Sequence, residues 1–407
     1  MTSPPLTSLL PFIVSRSLVS GGISLALLSS PDVFHHHVCG GDDARTRDVG
    51  AKLDSTIALA LLVSRPFTAA AMDAFGRHPV LVLGCMVSGL ARISAARNPN
   101  SLAAYTMYRV VNACAVQPVM LAAMAFISDV HGGRTSPAYV AFARRLGIAL
   151  AIVRIAFARL AVRSTLSSVS LMDLAGNLSL IAAAGFAVFT NETIAHRTAF
   201  SVKGAVLQSA NYFALTPARR AIALVLVLRA FAAYAQTAIG EHRRRAYGWG
   251  AEERAVMSMC GDAAEVLVPL LVVEGLGADV GSLEWDLRTS AFALALTAFT
   301  PWPRLLYAVP FISLVAPGTR DLNALLAAVK LQGDGDGMVE TALSTLDFPV
   351  AAAAPLGYAR VSQWWGTRAP LVLACGATLV NSEWAVGRAK RICGAAVKAK
   401  GGSVITV

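Results

Sequence analysis

Ala69-Ala70-Ala71-Met72-Asp73-Ala74-Phe75-Gly76-Arg77-His78-Pro79-Val80-Leu81 is a short charged turn wedged between two long apolar runs, one ending at about Ala71 and the next starting at Val80. A spanning helix needs about 20 predominantly apolar residues, and both flanking runs approach that length. Gly76 supplies the turn, because a residue without Cβ adopts backbone angles that other residues resist. The stretch therefore reads as a membrane-edge loop, and the rest of the chain can be tested against that reading.

Composition agrees. The chain is 56% hydrophobic and 14% charged, with a mean hydropathy of +0.59. Soluble domains carry roughly 25% charged residues, so a large soluble globule is excluded. The 407 residues can hold about a dozen spans. The net charge of +11 sits mostly in short gaps between apolar runs. That is the pattern of positive loops beside an anionic leaflet. No aromatic-interleaved basic strand or helix-turn-helix pattern occurs, and no nucleic-acid partner is expected. Cys39, Cys85, Cys114, Cys260, Cys375 and Cys393 show no paired spacing, so neither a disulfide framework nor a zinc site is indicated. The first charge, Arg16, lies within the first apolar run. A cleaved leader is therefore not expected.

The apolar runs fall at about 6–28, 55–71, 80–96, 102–127, 140–162 and 167–189, then at 221–239, 255–273, 282–300, 304–329, 338–361 and 369–385. A polar stretch, 190–220, separates the two sets. The expected architecture is all-α and polytopic, with about 12 transmembrane helices in two six-helix bundles. Residues 1–190 form the N-terminal bundle, 191–220 a central cytoplasmic loop, 221–390 the C-terminal bundle and 391–407 a cytoplasmic tail. All six tryptophans fall near the predicted ends of runs, as interfacial belts require. The charge rule supports both termini being cytoplasmic through Arg77, Arg134, Lys203 and Arg219, and is opposed by Arg243-Arg244-Arg245.

Four places resemble the major facilitator superfamily, in its drug and tetracycline exporter branch. The first is Ala69-x-x-x-Asp73-x-x-Gly76-Arg77, where the family begins with glycine. The second, Tyr108-Arg109-Val110-Val111-Asn112-Ala113, is similar to R-x-x-Q-G. The third is Ile127-Ser128-Asp129-Val130 followed by Arg134. The fourth is Gln332-Gly333-x-x-x-Gly337 with Pro355-Leu356-Gly357. The resemblance implies a secondary transporter that exports small organic solutes by alternating access, with protons as an optional coupling ion and a monomer as the working unit. It implies a conformational latch of Asp73, Gly76, Arg77, Asp129 and Arg134, in which Arg77 pairs with the acid at Asp129. The other reading of this loop is a solvated basic turn.

Membrane-embedded charges are costly and default to function. The coupling or substrate candidates are Arg109, Asn112, Asp262, Glu265 and Asp347, with Asp173 a further embedded acid. Asp262 and Glu265 are three apart and can share a helix face. Interfacial snorkelling is the alternative for Arg109, and helix-end charge or structural pairing for the acids. Where the family's fifth helix reads G-x-x-x-G-P-x-x-G-G, this chain has Gly147-x-x-x-Ala151-Ile152-Val153-Arg154, and its first helix carries Arg16 and no acid. Those departures keep open a receptor or scaffold that no longer transports. No cofactor or metal is expected. His35-His36-His37 lacks partner spacing, and Asp334-Gly335-Asp336 has Thr345 where a calcium loop needs glutamate. No phosphate-binding G-x-x-x-x-G-K-[ST] loop and no hydrolase motif occurs, so an enzyme is not expected. The partners are a small-molecule solute and the lipid bilayer of an unassigned membrane.

Overall fold

The computed structural model describes residues 6–131, 137–193, 216–268, 282–314 and 336–399, together with Phe213 and Leu325. Among them no strand occurs. Helix α1 (Leu6–Asp32) runs into a π-helical turn, Val33–Val38, just after Pro31, which has no N–H to give the helical ladder. Helices α2 (Asp43–Phe75), α3 (Arg77–Arg97), α4 (Leu102–Val130), α5 (Pro137–Arg163) and α6 (Ser168–Phe189) follow. Then come α7 (Pro217–Ala233), α8 (Gln236–Tyr247), α9 (Ala251–Val268), α10 (Leu283–Phe299), α11 (Val309–Leu314), α12 (Asp336–Trp365), α13 (Ala369–Val380) and α14 (Val386–Ala399).

Local chemistry sets the helix starts. Side chains of Asp42, Ser101, Ser167, Thr216 and Ser282 accept from the first-turn backbone N–H groups of α2, α4, α6, α7 and α10, satisfying donors that have no intrahelical partner. Thr216 is followed by Pro217 at the first helical position, so α7 starts ahead of the apolar run expected at 221. It stops at Ala233, and α8 resumes at Gln236.

Six described helical stretches are long and apolar enough to cross a membrane: Leu9–Val38, Arg77–Arg97, Leu102–Val130, Ser168–Phe189, Pro217–Tyr247 and Ala369–Ala395. Arg144, Arg145, Arg154, Arg159 and Arg163 interrupt the apolar character of α5. Helix α10 is 17 residues long. Large apolar side chains such as Leu27, Met107, Ile181 and Val188 face outward, each more than half exposed, while Arg16 and Arg92 are buried. Apolar outside and charged inside is the arrangement that hydrocarbon selects.

Contacts divide the chain into two compact units, Met1–Val202 with Gly250–Val266, and Lys203–Trp249 with Leu267–Val407. In the first, α6 packs closely on α1 and α3, and α3 on α4. At the α3–α6 crossing a Cβ on Gly89 would stand 2.8 Å from the Gly176 carbonyl oxygen, and one on Gly176 2.8 Å from that of Gly89. Small residues let backbones approach where lipid gives no hydrophobic drive. Phe12 stacks on Phe126 at 4.6 Å and tilts against Phe186 at 5.8 Å between ring centroids, joining α1, α4 and α6. In the second unit α7 packs on α12, α13 and α14. Arg288 pairs with Glu383 at 2.8 Å and Lys390 with Glu284 at 3.0 Å. Trp249 departs from the interfacial expectation: it is buried, stacked on Tyr307, with Arg243 over its ring.

Candidate functional site: the charged network of the first unit

The turn between α2 and α3 is a single residue. Gly76 sits at φ +106° and ψ 172°, a region essentially closed to residues with Cβ. It brings the C-terminus of α2 against the N-terminus of α3. Both ends are closed by side chains. The Arg77 guanidinium donates from Nη1 to the Met72 carbonyl at 2.9 Å, capping α2. The Glu192 carboxylate accepts from the backbone N–H of Arg77 at 3.1 Å and of His78 at 3.3 Å, capping α3. An anion there also meets the positive end of the helix dipole. Arg77 Nε stands 3.6 Å from Asp129 Oδ2 at the end of α4, and the Thr193 hydroxyl donates to the same oxygen at 2.8 Å. His78 reaches the Phe186 carbonyl at 3.1 Å. One cluster thus ties together α2, α3, α4 and the segment after α6. The side chain of Asp73 and the whole of Arg134 lie outside the described residues.

Glu192 and Thr193 are the two members that sequence reasoning missed. They stand in the polar stretch after the sixth run, where they read as part of a loop. Their only sequence signal is an acid and a hydroxyl two and three residues beyond Thr190, the first break in the run.

A second group lies further toward the start of α4. Arg109 on α4 donates to Asp54 of α2 at 3.2 Å and to the Tyr105 hydroxyl at 3.4 Å. Tyr105 in turn shares a 2.6 Å bond with Ser30 of α1. Asn112, one turn along, accepts through Oδ1 from Ser88 at 2.7 Å and from Arg92 Nε at 3.1 Å. Arg92 is 1% exposed. It also donates to the Ser179 hydroxyl at 2.8 Å and the Ala175 carbonyl at 3.3 Å, binding α3 to α4 and α6. Asp54 and Arg92 were both missed. Asp54 lies just ahead of the second apolar run, and Arg92 near the end of the third, where a lone charge looks like a helix terminus.

A third group joins α5 and α9. Arg154 Nε pairs with Asp262 at 2.6 Å, and its Nη2 pairs with Glu265. Asp262 is 7% exposed, and among the described residues its Oδ2 has no hydrogen-bond partner. Arg254, on the same helix, pairs with Asp32 at the end of α1. Asp173 accepts from the Asn177 amide at 3.1 Å. Asp347 lies on α12, and its side chain is outside the described residues.

Among the described residues no group of three or more His, Cys, Asp or Glu is placed to hold a metal ion. His35 of the histidine run bonds Thr46 at 3.0 Å.

Neither a family model nor a curated protein sequence matches the chain. Solved structures do. The human organic anion transporter MFSD10 is similar at a TM-score of 0.67 and 17% identity, over 94% of this chain and 100% of that one. A point variant of the nucleoside transporter NupG is similar at 0.71 and 14%, over 94% and 99%. A D-xylose-proton symporter is similar at 0.64 and 10%, over 94% and 98%. The chain has the major facilitator fold. At these identities the likeness is one of fold. It covers nearly the whole of each chain, so the all-α polytopic architecture belongs to the molecule rather than to one bundle.

Proposed function

We propose that the chain is a secondary transporter of a small organic solute, working by alternating access in a membrane. The observation that carries this reading is the fold, matched along 94% of the chain by structures of an organic anion transporter, a nucleoside transporter and a sugar symporter. Solutes in such folds bind near the bilayer midplane, and access alternates by rocking. The buried charges support it, since intramembrane ionisable groups are costly and default to function.

Within this reading, Asp73, Gly76, Arg77, Asp129 and Arg134 act as the latch, and Glu192 joins them because it caps the helix that the latch must release. Arg109, Asn112, Asp262, Glu265 and Asp347 are the coupling or substrate candidates. Export, proton antiport, a monomeric working unit and cytoplasmic termini remain parts of the proposal. The first three rest on the motif resemblance alone, and the termini on that resemblance and the loop charges.

The test is solute counterflow in proteoliposomes holding the purified full chain, for the wild type and for Asp73→Asn and Arg77→Ala. Saturable flux by the wild type, lost in both variants while each remains folded, supports transport and the latch. Normal flux by both variants refutes the latch. Absence of saturable flux across a broad solute panel refutes transport and favours a receptor or scaffold built on the same fold.

A further inference from the structure

Every acid whose side chain is described in the spanning part of the first unit is already engaged by another side chain. Asp54 holds Arg109, Asp129 holds Arg77, Asp32 holds Arg254, and Asp262 and Glu265 share Arg154. Asp173 is bonded to Asn177 on the face of α6. Two buried guanidiniums are left over. Arg92 has three neutral acceptors and, among the described residues, no carboxylate. Arg16, in α1, is less well provided. It is 6% exposed, its Nη2 touches only the Met120 sulfur at 2.7 Å, and its Nη1 is buried with no partner among the described residues.

The two are neighbours across α1 and α3. A Cβ on Gly22 of α1 would lie 3.3 Å from Arg92 Nη1, and Gly22 is six residues, about 9 Å, along the helix from Arg16. The Cys85 thiol stands within electrostatic reach of both guanidiniums. Charges buried without counter-charge are rare in membrane helices, and those that persist face a cavity or a pathway. Arg154 and Arg109 are neutralised within the protein, each set against carboxylates. Arg16 instead presents a free arm of the planar fork that matches carboxylate and phosphate oxygens.

We propose that Arg16 binds the oxyanion of a small organic solute, a carboxylate or a phosphate, and that Arg92 adds to the positive field that draws it there. This rests on the transporter reading for its purpose and names the substrate class for it. Asn112 is then a positioning residue. Its amide oxygen holds Arg92 and leaves the charge of Arg92 uncancelled.

The experiment is thermal unfolding of the purified full chain in detergent, titrated with benzoate, phenyl phosphate or inorganic phosphate. Benzamide and chloride at matched ionic strength serve as controls. The expected result is a saturable rise in melting temperature with at least one oxyanion and none with benzamide. Arg16→Gln should abolish the rise, and Arg16→Lys should weaken the affinity at least tenfold. Arg16→Gln without ligand should melt at or above the wild type, because it removes an uncompensated charge. A merely structural arginine predicts the opposite: a lower melting point with the response to anions kept. Benzoate and phenyl phosphate separate the carboxylate from the phosphate form. Equal responses to benzoate and benzamide, an unchanged response in Arg16→Gln, or no saturable response to any oxyanion overturns the site. Counterflow in proteoliposomes separates the two readings. Oxyanion binding through Arg16 without any flux leaves the site standing and refutes transport. Flux of a neutral solute without any oxyanion response does the reverse.

Discussion

Replacing Gly76 with alanine tests the α2–α3 turn at its narrowest point. Two separate costs can be read from the geometry. The backbone stands at φ +106° and ψ 172°, and holding a residue with Cβ in such a region costs about 1–3 kcal/mol. The new methyl group would also occupy the space of the Glu192 carboxylate, in hard overlap with Oε2. Displacing that carboxylate leaves the N–H groups of Arg77 and His78 without their cap, at a further cost of about 1 kcal/mol. The expected loss is therefore about 2–4 kcal/mol. The two costs separate in a double-mutant cycle with Glu192→Ala. That substitution alone loses the cap, about 1 kcal/mol. In the Gly76→Ala background it should cost almost nothing, because the cap is already displaced, so the pair should be sub-additive by about 1 kcal/mol. Unfolding in mixed micelles by SDS titration, followed by far-UV circular dichroism, gives the four free energies. Strict additivity would show that the carboxylate and the glycine do not meet. A Gly76→Ala variant within about 0.5 kcal/mol of the wild type would refute the backbone argument as well.

Three further outcomes are expected. Asp129→Asn should change stability by less than about 1 kcal/mol, since the pair with Arg77 is partly exposed, yet reduce counterflow more than tenfold; unchanged flux would separate Asp129 from the latch. Arg154→Gln should destabilise by about 3 kcal/mol by stranding Asp262 and Glu265, and Asp262→Asn in that background should recover part of the loss, whereas a further loss would deny the pairing. Gly176→Ala should cost about 1–3 kcal/mol because its Cβ would meet Ile93 at 2.6 Å, while Gly147→Ala, with nothing within 4 Å, should be neutral or stabilising in the same SDS titration.

Helix positions were legible because they depend on local composition. Leu102–Val130 and Ser168–Phe189 coincide with the expected runs within a few residues. Ends set by capping were less legible, as at Thr216 and Pro217, where a polar first turn extends the helix ahead of its apolar part. Partners were the hardest to read. Arg77 and Asp129 could be named together through motif resemblance. Glu192 reaches α3 from 115 positions away, and Arg92 meets Ser179 across 87. Hydropathy along a helix says how long the helix is. It does not say which way each residue faces when nearly every residue is apolar. Asp54 and Arg92 each stand close to the edge of an apolar run, where a single charge carries no periodic signal.

The close approach of Gly89 and Gly176 has a mechanical consequence. Where each glycine lies against the other's carbonyl oxygen, with Ile93 and Leu180 filling the remaining space, α3 and α6 have little room to slide past one another. They are expected to move together, as one strut. Arg92 binds the two helices of the strut to each other through Ser179 and fastens the strut to α4 through Asn112. Any rearrangement of the first unit must therefore be taken up elsewhere, at contacts made by longer and softer side chains. The Arg77 cluster stands at the foot of the strut, where α3 begins and α6 ends, so it is the place that would register any tilt of the pair.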